Sequence, residues 1–378
     1  MLQPGLRFRF IVFTFLLSLS LGLPVHAKTA AALDYVSPQK PVIETLYGRA
    51  LAEPVIVALL ESKAMQRIRN IDQSGALYYF GYVPRYTRYE HSVGVWSLLQ
   101  KMDRPLSEQV AGLLHDVSHT VFSHTGDYLF QEEGDTSHAY QDSIHLWFLD
   151  KMQVQSILQP FQLTLEAVDP DNGQNIALEQ HLPHLCADRI EYNLKTGLLF
   201  KKISQAEFNA IRDDLHFENG RWFFTDAKLA KKFASLSLDF TQTLWGGTWN
   251  NVFNHYMVEM LQEAMKIGLI SKEQIHFGTD LEVINLLKQS SSPYIQQRIK
   301  ACSDVHSTFR VVEGSASYDK QFKPKFRGID PLVKTKEGFK ALTAIDASFK
   351  AEYAAVKAWT QQGTKVVFLM DEASKGRS

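Results

Sequence analysis

Six of the thirteen histidines fall between residues 91 and 145: His91, His115, His119, His124, His138 and His145. Imidazole is the commonest metal ligand and carries protons near neutral pH, so crowding of this kind beside carboxylates signals metal or acid–base chemistry. At the centre stands Gly112-Leu113-Leu114-His115-Asp116-Val117-Ser118-His119. Neighbouring residues on a helix splay by about 100°, so His115 and Asp116 meet one ion only where the helix ends or tightens. Val117-Ser118 and the β-branched Thr120-Val121 mark such an end. His119 follows His115 by four residues and overhangs the same spot. His91 arrives upstream in Arg88-Tyr89-Glu90-His91, and a second aspartate downstream in Ala187-Asp188-Arg189-Ile190-Glu191-Tyr192. Two imidazoles and two carboxylates make a borderline-hard donor set. It suits a divalent transition metal (Mn, Fe, Co, Ni or Zn) and leaves positions open for water and a phosphate oxygen.

The elements that must carry these groups read mainly as helices. Apolar residues recur at helical spacing over 54–72, and further helices are expected at 90–103, 107–117, 138–158, 179–197, 226–243 and 250–267. Residues 73–89 read as an aromatic, glycine-dotted loop, and 217–225 as a hairpin turning at Asn219-Gly220. The tail is β-prone over 303–335, with a helix at 339–361 and a strand at 365–369. The expected architecture is therefore mainly α, with residues 28–302 as one helical domain and 303–378 as a smaller α+β extension packed onto it.

Residues 1–27 read as a cleaved signal peptide: Arg7 and Arg9 precede a 14-residue apolar run, Phe10 to Leu23, then Pro24 and a small-residue site at Ala27. The run is too short for a comfortable membrane span. An exported, periplasmic or secreted protein without stable membrane insertion after cleavage is the expectation. Lys+Arg is 40 and Asp+Glu is 41, and such a near-neutral chain lacks the electrostatic footprint of a nucleic-acid binder. Two cysteines, Cys186 and Cys302, cannot form a disulfide framework, and buried free thiols are the preferred reading.

Four stretches resemble the HD-domain phosphohydrolases, notably the deoxynucleotide triphosphohydrolases of the sterile-alpha-motif/HD type and their bacterial relatives. They are Gln66-Arg67-Ile68-Arg69-Asn70-Ile71-Asp72-Gln73, Arg88-Tyr89-Glu90-His91-Ser92-Val93-Gly94-Val95, Gly112 to His124, and Ala187 to Tyr192, all within residues 43–200. The resemblance implies an all-α HD fold with a metal held by His91, His115, Asp116 and Asp188. Mg in the presence of a phosphorylated substrate is the alternative ion. Catalytic positions fall on His119, His124, Asp127 and His138, with His145 as the alternative to His138. Arg88, Gln73, Arg189 and Tyr192 match substrate-contacting positions. A phosphorylated small molecule is the implied partner, and a homo-oligomer is compatible with the family.

Two departures bear on the substrate. Where the dNTP-cleaving members carry a sugar-contacting aspartate two turns after the ligand aspartate, this chain has Thr196. Where they carry a polyphosphate-gripping arginine, a gapless alignment through Phe253-Asn254-His255 puts Trp245, and residues 244–251 hold no basic side chain. The expected activity is thus an exported metal-dependent phosphohydrolase acting on a phosphate ester of a nucleotide or related small molecule. The alternatives are a dNTP triphosphohydrolase and a catalytically idle module that binds a nucleotide or partner protein. The aromatics Tyr78, Tyr79, Phe80, Tyr82 and Tyr86 read as packing rather than a base-stacking wall. The basic stretch 321–328 reads as a solvated loop.

Overall fold

A computed structural model describes residues 40–130, 140–314 and 316–369. The leader at 1–27 and His138 lie outside these residues. The fold is mainly helical with small sheets.

The site-bearing helix Arg88–Lys101 starts where its sequence says it should. Thr87 Oγ1 accepts from the Glu90 N–H, and the Glu90 carboxylate accepts from the Thr87 N–H, a reciprocal capping box. Val95, Leu98 and Leu99 pack on Val110, Leu113 and Leu114 of the antiparallel neighbour Leu106–Leu114, all fully buried. A side chain at Gly112 would run into Leu99, so glycine sets how closely these two helices approach. The partner helix stops at Leu114, which leaves His115 and Asp116 just beyond the last turn.

The expected 54–72 helix is instead two, Pro54–Leu60 and Lys63–Ile68, because Ser62 caps a new start by accepting from the Met65 N–H. The helix expected at 179–197 begins only at Ala187 and runs to Leu199. Pro183 supplies no amide hydrogen and disfavours helical backbone at Leu182, so the preceding residues turn instead. The 138–158 stretch divides, among the described residues, into Tyr140–Ser143, His145–Lys151 and Val154–Leu158.

The hairpin Leu215–Glu218/Arg221–Phe224 turns at Asn219 and Gly220, both left-handed (φ 51° and 76°), as an Asn-Gly turn requires. Strand Leu332–Thr335 of the tail pairs parallel to Arg221–Phe224, and Gly338–Ala341 closes this four-stranded sheet. The tail helix expected at 339–361 therefore begins after the strand and is two, a short Leu342–Ile345 and Ala347–Gln362, where Asp346 accepts from the Phe349 N–H as the cap of the second. A second sheet orders Phe309–Val312, Thr364–Phe368 and Lys320–Phe322, all antiparallel. Both cysteines are buried and free. No helix of the described residues is long and apolar enough to cross a membrane.

Candidate metal centre and substrate cavity

The capping box puts Arg88 and His91 on one face of their helix, one turn apart. Asp188 sits in the first turn of Ala187–Leu199, where the helix dipole favours a carboxylate. The turn after Leu114 is pinned by buried Arg67, whose Nη1 donates to the Val117 (3.3 Å) and His119 (2.9 Å) carbonyls. These contacts satisfy two carbonyls of the turn that follows the helix. Phe122 and Ser123 both hold left-handed backbone (φ 60° and 54°), uncommon for non-glycine residues. The turn is held by Asp280, which accepts from the Phe122 N–H at 2.7 Å, and by the Ser123 hydroxyl, which donates to the Asp72 carbonyl at 2.6 Å.

These elements bring four donors together. His91 Nε2 lies 2.9 Å from Asp188 Oδ1, 3.2 Å from His115 Nε2 and 3.6 Å from Asp116 Oδ2. His115 Nε2 lies 3.5 Å from Asp188 Oδ1 and 3.6 Å from Asp116 Oδ1. His115 Nδ1 faces the Gly112 carbonyl at 2.8 Å, an acceptor only, so Nδ1 carries the proton and Nε2 the lone pair. His91 Nδ1 likewise faces the Glu191 carboxylate. Two imidazole lone pairs and the Asp188 carboxylate thus converge on one point, with Asp116 at the edge of the group, one oxygen 3.6 Å from each imidazole and both shared with Arg88 and His119, an arrangement that requires a positive charge between them. The spacings are those of ligands around one ion at roughly 2.0–2.2 Å. The donor set fits a divalent metal. Without one, the charge deficit shows in His91: burial opposes its protonation, yet Glu191, Asp188 and Asp116 raise its pKa to about 10. Burial also opposes ionisation of Asp188, but hydrogen bonds from His115 and His91 hold it well below the usual carboxylate range.

Glu191 was given no role by sequence reasoning. It accepts from both His91 Nδ1 and the Tyr86 hydroxyl, and so orients the ligand imidazole. The available signal was its position three residues after Asp188, on the same helix face. A side chain at Gly94 would come within 2.5 Å of Glu191 Oε1, so this glycine makes room for it.

His119 Nε2 lies 3.3 Å from Asp116 Oδ1, and its ring meets His124 edge-on at 4.9 Å. Burial and then the Arg88 charge lower the His119 pKa to about 3, so it is neutral at ordinary pH. His124 Nδ1 lies 2.8 Å from Asp127 Oδ2. The Asp127 carboxyl is held below its ordinary range: burial opposes this, but His124 outweighs it. His124 therefore donates from Nδ1 and presents its Nε2 lone pair. Asp116 is doubly engaged, its Oδ2 accepting from Arg88 Nη1 at 2.6 Å.

Arg88, His115, Asp116, His119, His124, Asp127 and Asp188 line one cavity of about 360 Å³, whereas His91, Tyr86 and Glu191 lie behind its wall. Gln73, Arg189 and Tyr192 line it too, so the sequence-predicted substrate positions share one space with the metal donors. Arg189 Nη1 donates to the His184 carbonyl at 3.0 Å. His138 lies outside the described residues, whereas the alternative, His145, lines the cavity with Nδ1 2.9 Å from the Ser118 hydroxyl. Thr196 and Trp245 also line it. Trp245 ends a π-helical turn, Thr241–Trp245; the Leu244 carbonyl and that of the following Gly246 accept from the Asn250 and Asn251 side chains. His255 turns away to Lys320 and Phe368. None of the five aromatics at 78–86 lines the cavity: Phe80 packs on Phe253, and Tyr82 on Trp249. The basic stretch differs from its expectation, because Lys325 and Arg327 face the cavity rather than bulk solvent alone. Glu179, Cys186 and Asp188 also cluster, but burial drives the Glu179 and Cys186 pKa values up, so their acidic protons are retained and they are poor ligands.

The family model described as HD domain matches residues 88–148. The chain is 32% identical over 292 residues to the uncharacterized protein YdhJ of Bacillus subtilis, covering 77% of this chain and 88% of that one. It is 28% identical over 270 residues to the metal-dependent phosphohydrolase cns2 of Cordyceps militaris, covering 68% and 75%. Its fold is similar to that of a hypothetical protein from Aquifex aeolicus, with a TM-score of 0.61 at 15% identity over 82% of this chain and 93% of that one. With this histidine and aspartate cluster beside one cavity, and with these relatives, the chain belongs to the HD-domain metal-dependent phosphohydrolases and is a hydrolase of phosphoric esters.

Proposed function

We propose that this phosphohydrolase acts, after export, on a nucleotide or related small molecule bearing a phosphate ester. The observation that carries the reading is a set of buried polar atoms on one cavity. Gln73 Oε1, Arg88 Nη2, His119 Nδ1 and His145 Nε2 each lack a partner among the described residues, and all four side chains line it. Buried polar groups left unpaired in this way point to a polar ligand. His91, His115, Asp116 and Asp188 would hold a metal, which when bound would supply Lewis-acid charge and lower the pKa of water. Arg88 is the phosphate clamp: Nη1 is tied to Asp116 and Nε to Ser123 (2.8 Å), so Nη2 is aimed by its own guanidinium plane. His124, with its proton on Nδ1 toward Asp127, accepts a proton at Nε2 from the attacking water. The same imidazolium then returns it to the leaving oxygen. Burial by the cavity walls lowers the His124 pKa; Asp127 opposes this, and Arg88 and Arg327 add to it, which favours the basic form at neutral pH. Tyr192 and Trp245, edge-on at 5.1 Å, form an apolar surface for the organic part of the substrate.

The test is hydrolysis, read by chromatography of the products, by the chain from Lys28 onward with Mn, Co or Ni, across nucleoside monophosphates, dNTPs, cyclic dinucleotides and bis-p-nitrophenyl phosphate. Metal-dependent turnover that vanishes in Asp188→Ala is the expected result. A chain that binds metal stoichiometrically but hydrolyses none of them removes the nucleotide reading. A chain that retains no metal favours the idle binding module. Export is checked by fractionating cells for a chain that begins at Lys28.

A further inference from the structure

The cavity holds four cationic side chains, and they are not equivalent. Arg88 is neutralised by Asp116, and Arg189 faces Glu179 at 4.0 Å while donating to the His184 carbonyl. Lys325 and Arg327 have no ion pair within 4.0 Å and no side-chain hydrogen bond among the described residues. The wall at 245–254 brings only Trp245, Asn250, Asn251 and Asn254, all uncharged.

The segment carrying Lys325 and Arg327 is fixed rather than loose. The Arg327 carbonyl accepts from the Ser237 hydroxyl at 2.7 Å, and the Asp330 N–H donates to the Pro183 carbonyl at 2.9 Å. Phe326 packs edge-on against Tyr353 at 5.0 Å. Gly328 is fully packed, since a side chain there would meet Phe326 and Leu238, and Ile329 is completely buried. The Arg327 charge acts on His124, Tyr128 and Tyr192, three residues around the cavity. Two cations close in sequence, neither in a direct ion pair among the described residues although Lys325 feels the charge of Asp142, are held rigidly on a cavity and can take an anion there. A guanidinium fork matches phosphate oxygens.

We propose that Lys325 and Arg327, supplied by the tail, form a second anion subsite, so that the substrate carries a further phosphate beyond the one cleaved. The proposal rests on the cavity being the substrate site as read above. Asp142, Asp169 and Asp171 line the same cavity, and Asp142 is close enough to Lys325 for their charges to act on each other.

The test is calorimetric binding of imidodiphosphate and of orthophosphate to the full chain at one fixed Mn(II) concentration. The double variant Lys325→Gln/Arg327→Gln is expected to lose about tenfold in imidodiphosphate affinity and much less for orthophosphate. Lys323→Gln, exposed and off the cavity, is the control and should lose neither. Arg327→Lys, which keeps charge without the fork, should fall between, and it serves if the double variant misfolds. Equal imidodiphosphate affinity in double variant and wild type overturns the subsite, as does an equal loss for both probes. Wild-type turnover of p-nitrophenyl phosphate separates the two readings. Turnover without discrimination between the probes removes the subsite alone; discrimination without turnover removes the hydrolytic role of the cavity and leaves the subsite.

Discussion

The cavity has two walls of opposite construction. One is made by residues 73–127 and 187–192. There the chemistry-bearing groups hold each other: Asp116 on Arg88, Glu191 on His91, Asp127 on His124. The other is made by residues 244–254 and 324–327. It presents an indole, three amides and two cations without ion-pair partners. The first wall is preorganised for one reaction, since each ligand is oriented by a second group. The second is not internally neutralised in this way, and on the proposed reading it adds substrate contacts to those of Arg88 and Tyr192 on the first. The contrast teaches that groups that fix each other and groups left to meet a ligand come from different walls, far apart along the chain.

Breaking the first wall should have the largest effect. Asp188→Ala should abolish bound metal, read by elemental analysis, and lower turnover by roughly 10³-fold or more. Asp116→Ala should do the same and also unfold more easily, by about 3–5 kcal/mol, because it strands buried Arg88 without its counter-charge. Urea denaturation of both variants distinguishes the two. If they lose equal stability, the Arg88–Asp116 pair is not the support described here.

A smaller effect is expected one layer out. Glu191→Gln keeps the shape but weakens the hold on His91, and metal affinity should fall about 10–100-fold with the fold intact. Chelator competition measures this. An unchanged affinity would mean that His91 is oriented by its packing alone.

On the recognition wall, Trp245→Ala should raise KM about 3–10-fold, more than it lowers kcat, as the loss of one aromatic contact predicts. Steady-state kinetics on the best substrate decides it, and a pure kcat loss would move Trp245 to the other wall.

The smallest effect concerns how the tail is seated. His255 Nδ1 accepts from Lys320 Nζ at 3.1 Å, and its ring stacks on Phe368 at 5.1 Å. Burial, then Lys320 and Arg298, lower its pKa to about 4. The unfolded value is near 6.5, so between these values the unfolded chain binds the extra proton and stability falls as pH drops. Wild type should lose up to about 2 kcal/mol from this residue between pH 7 and pH 5. His255→Gln should flatten that slope in urea titrations. Equal slopes would show that other groups govern the acid response of the tail.

Most of the first wall was legible in the sequence. Its parts lie in short stretches whose local signals agree: the capping box at Thr87–Glu90, the helix end at Leu114, and the His and Asp that follow it. Glu191 escaped because a glutamate after a ligand aspartate reads equally as a solvated helix residue; only the approach of Gly94 from another helix buries it. The tail escaped for a related reason. Lys325 and Arg327 lie in a Pro-containing basic stretch, whose local signals favour a solvated loop, and no short-range pattern ties it to residues 124 or 192.

The sequence by itself determined the helical class, the order of the four motifs, the donor set and the hairpin at Asn219-Gly220. All are local, arising from periodicity, capping and residue type over a few turns. The tertiary structure decided which lone pairs face each other, which polar atoms stay unpaired, and which distant segment closes the cavity. It decided them because each depends on pairing across tens to hundreds of residues, as in strand Leu332–Thr335 seated against Arg221–Phe224, and no local propensity specifies such a contact.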